Sequence, residues 1–149
     1  MSTREIICRS PEETFELGEK IAATLTGGDA ILLFGGLGAG KTLLTKGILH
    51  GLGYDVDEVT SPSFTLVNLY DTERLNVYHI DLWRLDGGQD IAAAVGLDEI
   101  FDDPTAVPMI EWAERLGQYS FPCEPLMITI AGDGDEPRRV TLDGKDLTS

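Results

Sequence analysis

The spacing of hydrophobic residues in the first third of the chain predicts two helices separated by one strand. Ser10-Pro11-Glu12-Glu13 is a capping box with proline at the first helical position. Residues at helical spacing follow it up to Gly27-Gly28, namely Phe15, Gly18, Ile21, Ala22 and Leu25. Residues 30–34 form an apolar run of strand length, and residues 43–52 form a helical run closed by Gly53.

The rest of the chain favours strands. Four of them are predicted in two hairpins, at residues 66–70, 75–80, 126–130 and 138–142. Residues 90–101 predict a weak helix that is broken by Gly96. Residues 106–110 are almost uniformly apolar, which predicts a buried strand, although Pro108 within it suggests an edge position or irregular pairing.

Residues 35–42 carry the first chemical signal, because they match G-x-x-x-x-G-K-T, the phosphate-binding loop of P-loop NTPases. Glycines let backbone N–H groups turn inward and cradle phosphate oxygens. Lys41 would supply a positive charge to the β- and γ-phosphates, and Thr42 a hydroxyl to Mg²⁺. Nucleotide contacts are therefore expected along the loop and just beyond it, at Gly35, Gly36, Leu37, Gly38, Ala39, Gly40, Lys41, Thr42 and Leu43.

The order of these elements predicts a single α/β domain that spans residues 1–149, with no repeat or linker. We expect a P-loop NTPase-like three-layer sandwich in which helices flank a mixed, mostly central parallel sheet. The sheet should be parallel around the phosphate-binding loop and antiparallel in the hairpins.

Composition limits the partners and the compartment. The chain has 11 Lys and Arg against 26 Asp and Glu, a net charge of −15, so that non-specific binding to nucleic acid is disfavoured. Contact with RNA should be indirect, and a protein partner should present a basic surface. No apolar run has membrane-spanning length, no secretory signal is apparent, and Cys8 and Cys123 lack a metal or redox spacing. A cytoplasmic protein with reduced thiols is expected.

A P-loop enzyme needs an acid near Mg²⁺, usually just beyond an apolar strand. Asp81 and Glu111 both stand at such a position. We favour Glu111 as the acid that reaches the metal, directly or through water, because residues 106–110 before it are the more uniformly apolar. Asp81 would then orient the attacking water or complete the metal shell.

Residues 60–65 lie where GTPases carry switch I, so their hydroxyls could sense the γ-phosphate, or the segment could be an ordinary polar loop. His79 is interpreted as a structural histidine rather than a proton shuttle. Trp112 is interpreted as a packing residue, and Arg84 as the partner of one of the many acids.

Taken together, four motifs in this order closely resemble the TsaE family, a family of ATPases of bacterial threonylcarbamoyladenosine synthesis on tRNA. They are the phosphate-binding loop, Ser61-Pro62-Ser63-Phe64-Thr65-Leu66, His79-Ile80-Asp81-Leu82-Trp83-Arg84-Leu85 and Glu111-Trp112-Ala113-Glu114. The resemblance extends from Pro11 to about Leu142. The family usually has threonine in place of Ser63 and often tyrosine in place of Trp83; both replacements keep the chemistry.

The resemblance implies an ATP- and Mg²⁺-dependent ATPase, slow without partners, that acts with a TsaB–TsaD pair in the modification of tRNA adenosine 37. It implies tRNA contact only through that complex. It places Mg²⁺ on Thr42 and Glu111 and an essential acid on Asp81, and leaves open which acid is the direct metal ligand. Further nucleotide contacts are implied at Glu13 or Thr14 and at Arg138 or Arg139.

Two other functions remain as alternatives, a small-molecule P-loop kinase and a nucleotide-gated protein-binding module. The few, scattered arginines and the lack of a lid-like insertion argue against a kinase. The acids Asp81 and Glu111 argue against a module without catalysis. A small GTPase is excluded because no Asn-Lys-x-Asp segment is present.

Overall fold

The computed structural model describes residues 2–36, 40–58, 67–82, 90–117, 119–132 and 134–144. In these ranges the chain forms seven β-strands, four α-helices and two short 3-10 turns. The strands are β1 Ser2–Cys8, β2 Ile31–Gly35, β3 Val67–Asp71, β4 Asn76–Asp81, β5 Ala106–Glu111, β6 Leu126–Ala131 and β7 Arg138–Gly144. The helices are α1 Pro11–Ala22, α2 Lys41–Gly51, α3 Ile91–Ala94 and α4 Leu97–Asp102, and the 3-10 turns are Val56–Glu58 and Ala113–Leu116.

All seven strands form one mixed sheet in the order β1-β7-β6-β2-β5-β4-β3. The central strand β2 pairs in parallel with β5 and β6, and β5 pairs in parallel with β4. The outer pairs β1/β7, β6/β7 and β3/β4 are antiparallel. The predicted α/β class, with its parallel centre and antiparallel hairpins, is confirmed.

Helices cover both faces of the sheet and make the predicted sandwich of three layers. On one face, α1 and α2 pack on the sheet through residues such as Ile21 and Ile48. On the other face, α3 and α4 pack through Ile91, Leu97 and Ile100. Residues of β2 alternate between the two hydrophobic cores, as expected for a strand that is buried on both sides.

Helices α1 and α2 approach each other closely because glycines line their contact. A Cβ atom added to Gly47 would lie 2.2 Å from the carbonyl oxygen of Phe15, and one added to Gly18 would lie 2.6 Å from that of Leu44. Backbone therefore meets backbone where the helices touch. This contact fixes the start of α1 beside the start of α2.

Strand β1 was not predicted from the sequence. It pairs with β7 from Ser2 opposite Gly144 to Cys8 opposite Arg138, and forms one edge of the sheet. Polar residues such as Arg4 and Glu5 interrupt its apolar pattern, and Ile7 stays 37% exposed. Long-range pairing with the last strand therefore decides its structure, and such pairing leaves a weak local signal.

The edge position suggested by Pro108 is wrong, because β5 lies between β2 and β4. The amides of Asn76 and Leu82 donate to the carbonyls of Thr105 and Glu111, so odd-numbered residues of β5 make the bonds to β4. The direction of backbone bonding alternates along a strand, so the backbone nitrogen of Pro108 points towards β2. The β2/β5 ladder begins one residue later, with Met109 opposite Ile31. The missing N–H of proline thus falls just outside the ladder.

Cys8 and Cys123 are not joined in a disulfide. Among the helices that are described, none has the length and apolar character that a membrane crossing requires.

Candidate nucleotide-binding site

The phosphate-binding motif lies between β2 and the first turn of α2, the arrangement that the sequence predicts. Gly40 precedes the helix with φ of 107°, a backbone conformation that favours glycine, and makes no side-chain cap. Among the described residues no side chain caps the first amides of α2, which are the kind of donors that bind phosphate at other helix N-termini. The predicted contact residues Leu37, Gly38 and Ala39 lie outside the described residues.

Lys41, which is partly exposed, forms one polar cluster with the buried residues Glu111 and His79 beside this helix start. The Nζ atom of Lys41 lies 3.2 Å from Oε1 of Glu111. The other oxygen, Oε2, lies 2.6 Å from Nε2 of His79. The side chains of Glu111 and His79 are only 11% and 4% exposed. Both carboxylate oxygens are thus held, one from the side of the phosphate-binding loop and one from inside the sheet.

The environment keeps Glu111 ionised. Burial raises the pKa of the Glu111 carboxyl, but the hydrogen bond and charge of His79, followed by the ammonium of Lys41, outweigh burial and leave the pKa below its ordinary value. A carboxylate only accepts hydrogen bonds, so Nε2 of His79 donates to Oε2.

Asp81 lies next to Glu111 across the parallel pair β4/β5. The two residues are directly opposite in the register, and Leu33 of β2 follows on the other side of Glu111. Neighbours in such a row lie on the same face of the sheet. Leu33 belongs to the core under α1 and α2, so Glu111 and Asp81 also lie on the face that these two helices cover. Asp81 is half-buried, and Thr42 is exposed in the first turn of α2. Within the described ranges, no three or more His, Cys, Asp or Glu residues are grouped to hold a metal ion.

A cavity of about 310 Å³ adjoins the start of α2. Its wall includes Thr14 from α1, Gly40 and Leu43 from the loop and α2, and Arg138 from β7. The guanidinium of Arg138 donates to the carbonyls of Glu136, at 2.6 Å, and Gly134, at 3.1 Å. The structure therefore brings Thr14, Leu43 and Arg138 together beside the phosphate-binding loop.

Two of the residues considered for nucleotide contact lie elsewhere. Oε1 of Glu13 accepts the amide of Arg9 at 3.0 Å, and Glu13 faces the groove between β1 and α1. Arg139 points to the other side of β7 from Arg138 and lies 3.6 Å from Glu5 on the exposed surface. Thr14 and Arg138 are thus the members of these two pairs that reach the cavity.

Sequence reasoning missed the partnership of His79 with Glu111. One ring nitrogen binds Glu111, and the other, Nδ1, is buried with no hydrogen-bond partner among the described residues. A signal for it exists in the sequence, since residues 79 and 81 share a face of one strand and Asp81 was already a site candidate.

Trp112, for which a packing role is expected, lies partly at the surface. This residue is 42% exposed, with φ of 61° in the left-handed region, and Arg115 lies 5.4 Å from the centre of its ring. It follows Glu111 directly, so the turn that ends β5 is strained beside the polar cluster. Residues 60–65 and Arg84 lie outside the described residues.

Comparison with known proteins identifies the family. The model of the family described as "Threonylcarbamoyl adenosine biosynthesis protein TsaE" matches residues 8–140. The chain belongs to the TsaE family. Its resemblance in sequence is confirmed over most of its length, and with it the P-loop-like α/β fold.

Individual relatives support membership of the TsaE family. The chain is 39% identical to the tRNA threonylcarbamoyladenosine biosynthesis protein TsaE of Bacillus subtilis, with 89% of this chain and 80% of that protein covered. The TsaE protein of a Nostoc species is 34% identical, with 92% and 85% covered. The crystal structure of YdiB from B. subtilis superposes with a TM-score of 0.73 at 35% identity, covering 95% of this chain and 84% of that chain.

Proposed function

We propose that the chain is a Mg²⁺-dependent ATPase of the cytoplasm, formed by one P-loop domain over residues 1–149. It would act with a TsaB–TsaD-like pair in the threonylcarbamoyladenosine modification of tRNA adenosine 37. The observation that carries this proposal is the contact of Lys41, at the start of α2, with the buried carboxylate of Glu111.

Nucleotide binding should begin with an exchange of partners at Lys41. The ammonium group leaves Oε1 of Glu111 for the β- and γ-phosphates, while the amides at the start of α2 bind phosphate oxygens. Oε1 would then be free of Lys41 and available to a metal ion. The carboxylate of Glu111 and the hydroxyl of Thr42 are oxygen ligands of the kind Mg²⁺ prefers, and one or two such ligands suffice beside phosphates and water.

Bound Mg²⁺ would neutralise charge on the phosphates as the bond to the γ-phosphate breaks. Asp81 lies on β4, one strand further than β5 from β2, the strand that leads into the phosphate-binding loop. We assign to Asp81 the orientation of the attacking water, and to Glu111 the metal. Glu111, on the strand next to β2, is thus assigned to the metal, and Asp81, on the next strand out, is assigned to the water.

The cavity beside the loop suits the base of ATP. Its 310 Å³ fall within the usual range of small-molecule pockets, about 300–1,000 Å³. Leu43 supplies apolar surface, Thr14 a hydroxyl, and Arg138 a planar cation that can stack on an aromatic ring.

Charge supports a protein partner rather than direct contact with tRNA. With a net charge of −15 the chain should be repelled by phosphate backbone. We infer that it binds a basic surface of the TsaB–TsaD-like pair and meets tRNA only through that complex.

The test is product analysis of ATP incubated with the chain, with and without the TsaB–TsaD pair and substrate tRNA. The ATPase predicts free phosphate and ADP, faster with the pair, and no phosphorylated acceptor. A phosphorylated small molecule would instead indicate the kinase, and nucleotide binding without turnover in the full complex would indicate a gated binding module.

A further inference from the structure

His79 is a buried polar residue with one polar contact in the described structure. Its side chain is 4% exposed, and Nε2 lies 2.6 Å from Oε2 of Glu111. Val77, two residues earlier on its own strand, and Met109, opposite His79 on β5, lie on the same face of the sheet and are fully buried. The imidazole thus lies in apolar packing and points its one satisfied nitrogen at the carboxylate.

Packing alone does not explain a histidine here. A buried polar atom without a partner costs about 1–3 kcal/mol, and Nδ1 is such an atom among the described residues. An apolar side chain of similar size would fill the same space without that cost. The contact with Glu111 is what an apolar residue could not replace.

The two partners of Glu111 differ in what happens when nucleotide binds. Lys41 is at the start of α2 and is needed by the phosphates, whereas His79 lies in the sheet and has no part in phosphate binding. After Lys41 leaves, His79 would still hold Oε2 inward, and Oε1 would be the oxygen left available to a Mg²⁺ held together with Thr42.

We propose that His79 is the positioning residue that orients the carboxylate of Glu111 for Mg²⁺. This inference rests on the proposed function and adds to it a residue that acts through Glu111 rather than on the nucleotide. Groups that orient a metal ligand from behind usually contribute 10- to 100-fold, by order of magnitude, in metal affinity or activity.

Two substitutions with the same polar group test the proposal. In His79→Gln the amide nitrogen is as many bonds from Cβ as Nε2 is, so it can donate to Oε2. In His79→Asn the amide reaches only as far as Nδ1 and falls short. His79→Leu is the apolar control, which keeps the packing and removes the contact.

The readout is nucleotide affinity as a function of Mg²⁺ concentration, measured by titration with a fluorescent ATP analogue. We expect His79→Asn and His79→Leu to need about 10- to 100-fold more Mg²⁺ for half-maximal binding, with metal-free binding unchanged. His79→Gln should stay close to the wild type. Equal Mg²⁺ requirements for Gln, Asn and the wild type would overturn the proposal, as would a loss in metal-free binding of the same size.

Two further measurements separate the possible failures. In the background of Glu111→Ala, His79→Asn should have no further effect on the Mg²⁺ requirement, because the group it acts through is gone. In the free protein, NMR should show a downfield Nε2 proton of His79 that is lost in Glu111→Ala. An unchanged proton would refute the contact itself. Wild-type binding that ignores Mg²⁺ altogether would instead refute the proposed function.

Discussion

The close contact of α1 with α2 makes a prediction about Gly47→Ala that opposes simple helix propensity. The added methyl group would lie 2.2 Å from the carbonyl oxygen of Phe15 and 3.0 Å from its carbon. Ordinary contact begins at 3.4 Å, so α1 must retreat by the difference, 1.2 Å. The obstacle is backbone, which cannot yield by changing a rotamer.

The magnitude follows from two opposing effects. Inserting a methyl group into a packed contact costs about 1–3 kcal/mol, and the upper end applies when backbone blocks it. Alanine gains about 1 kcal/mol over glycine inside a helix. We therefore expect a net loss of about 2 kcal/mol in the free energy of unfolding, and a fall in Tm of about 4–8 °C for a chain of this size.

Urea unfolding followed by circular dichroism measures this loss directly, with the slope m as a check that the unfolded state is unchanged. The matched control is Gly51→Ala. Its methyl group would meet the Cβ of Ala22 at 2.7 Å and the Cα of Glu19 at 3.0 Å, so a smaller loss is expected. ATP affinity should fall with Gly47→Ala as well, since Thr14 lies beside Phe15 at the nucleotide cavity. A Gly47→Ala protein as stable as the wild type, or more stable, would refute the packing argument.

Further predictions concern the site and the surface. Glu111→Gln should mainly weaken Mg²⁺-supported ATP binding, whereas Asp81→Asn should bind Mg·ATP nearly normally and hydrolyse it slowly. Mg·ATP affinity and single-turnover hydrolysis are measured on both variants, and the opposite pattern would show that the two roles are exchanged. Arg138→Ala should weaken binding of ATP more than binding of inorganic triphosphate, and equal losses in calorimetry would remove Arg138 from the base site. The isolated chain should bind tRNA poorly at physiological salt, and tight, salt-sensitive binding in a filter assay would contradict this. Hydrogen bonds from the backbone and side chain of Thr105 lower the pKa of Asp103 below its ordinary value of 3.8. The ionised carboxylate of Asp103 therefore stabilises the fold above pH 3.8, and this stabilisation is lost as the pH falls through the lowered pKa. Asp103→Asn should therefore show a flatter fall of unfolding free energy at acid pH than the wild type, and parallel curves would contradict the assignment.

Local pattern was sufficient for most elements of the fold. The N-cap at Ser10 is confirmed by the bond from the amide of Glu13 to its hydroxyl at 3.2 Å, although the carboxylate of Glu13 accepts from the amide of Arg9 and not, as in a full capping box, from that of Ser10. This cap and the break at Gly96 are signals that neighbouring residues carry. Strand β1 and the position of Pro108 depend on partners far along the chain. Strand β1 forms because it pairs with β7, and Pro108 is tolerated because the β2/β5 ladder begins one residue after it. These long-range pairings cannot be predicted from a short stretch of sequence.

The candidate site likewise contains residues that local sequence predicted and residues whose surroundings it did not. Lys41 and Glu111 were predicted from the motif and from the end of an apolar strand, and the structure places their charged groups 3.2 Å apart. His79 was interpreted as a structural histidine from its residue type, and its carboxylate partner, Glu111, is 32 residues away in the chain. Trp112 was interpreted as a packing residue from its residue type, and it stands in a left-handed turn after Glu111 with 42% of its surface exposed.

The most direct test of this account is phosphate release from Mg·ATP by the wild type and by Lys41→Ala, each in the presence of the TsaB–TsaD pair. Lys41 is the residue on which both phosphate binding and the contact with Glu111 depend. We predict that the wild type releases phosphate and that Lys41→Ala, although folded, releases almost none. Hydrolysis by Lys41→Ala at the wild-type rate would contradict the assignment of the nucleotide site.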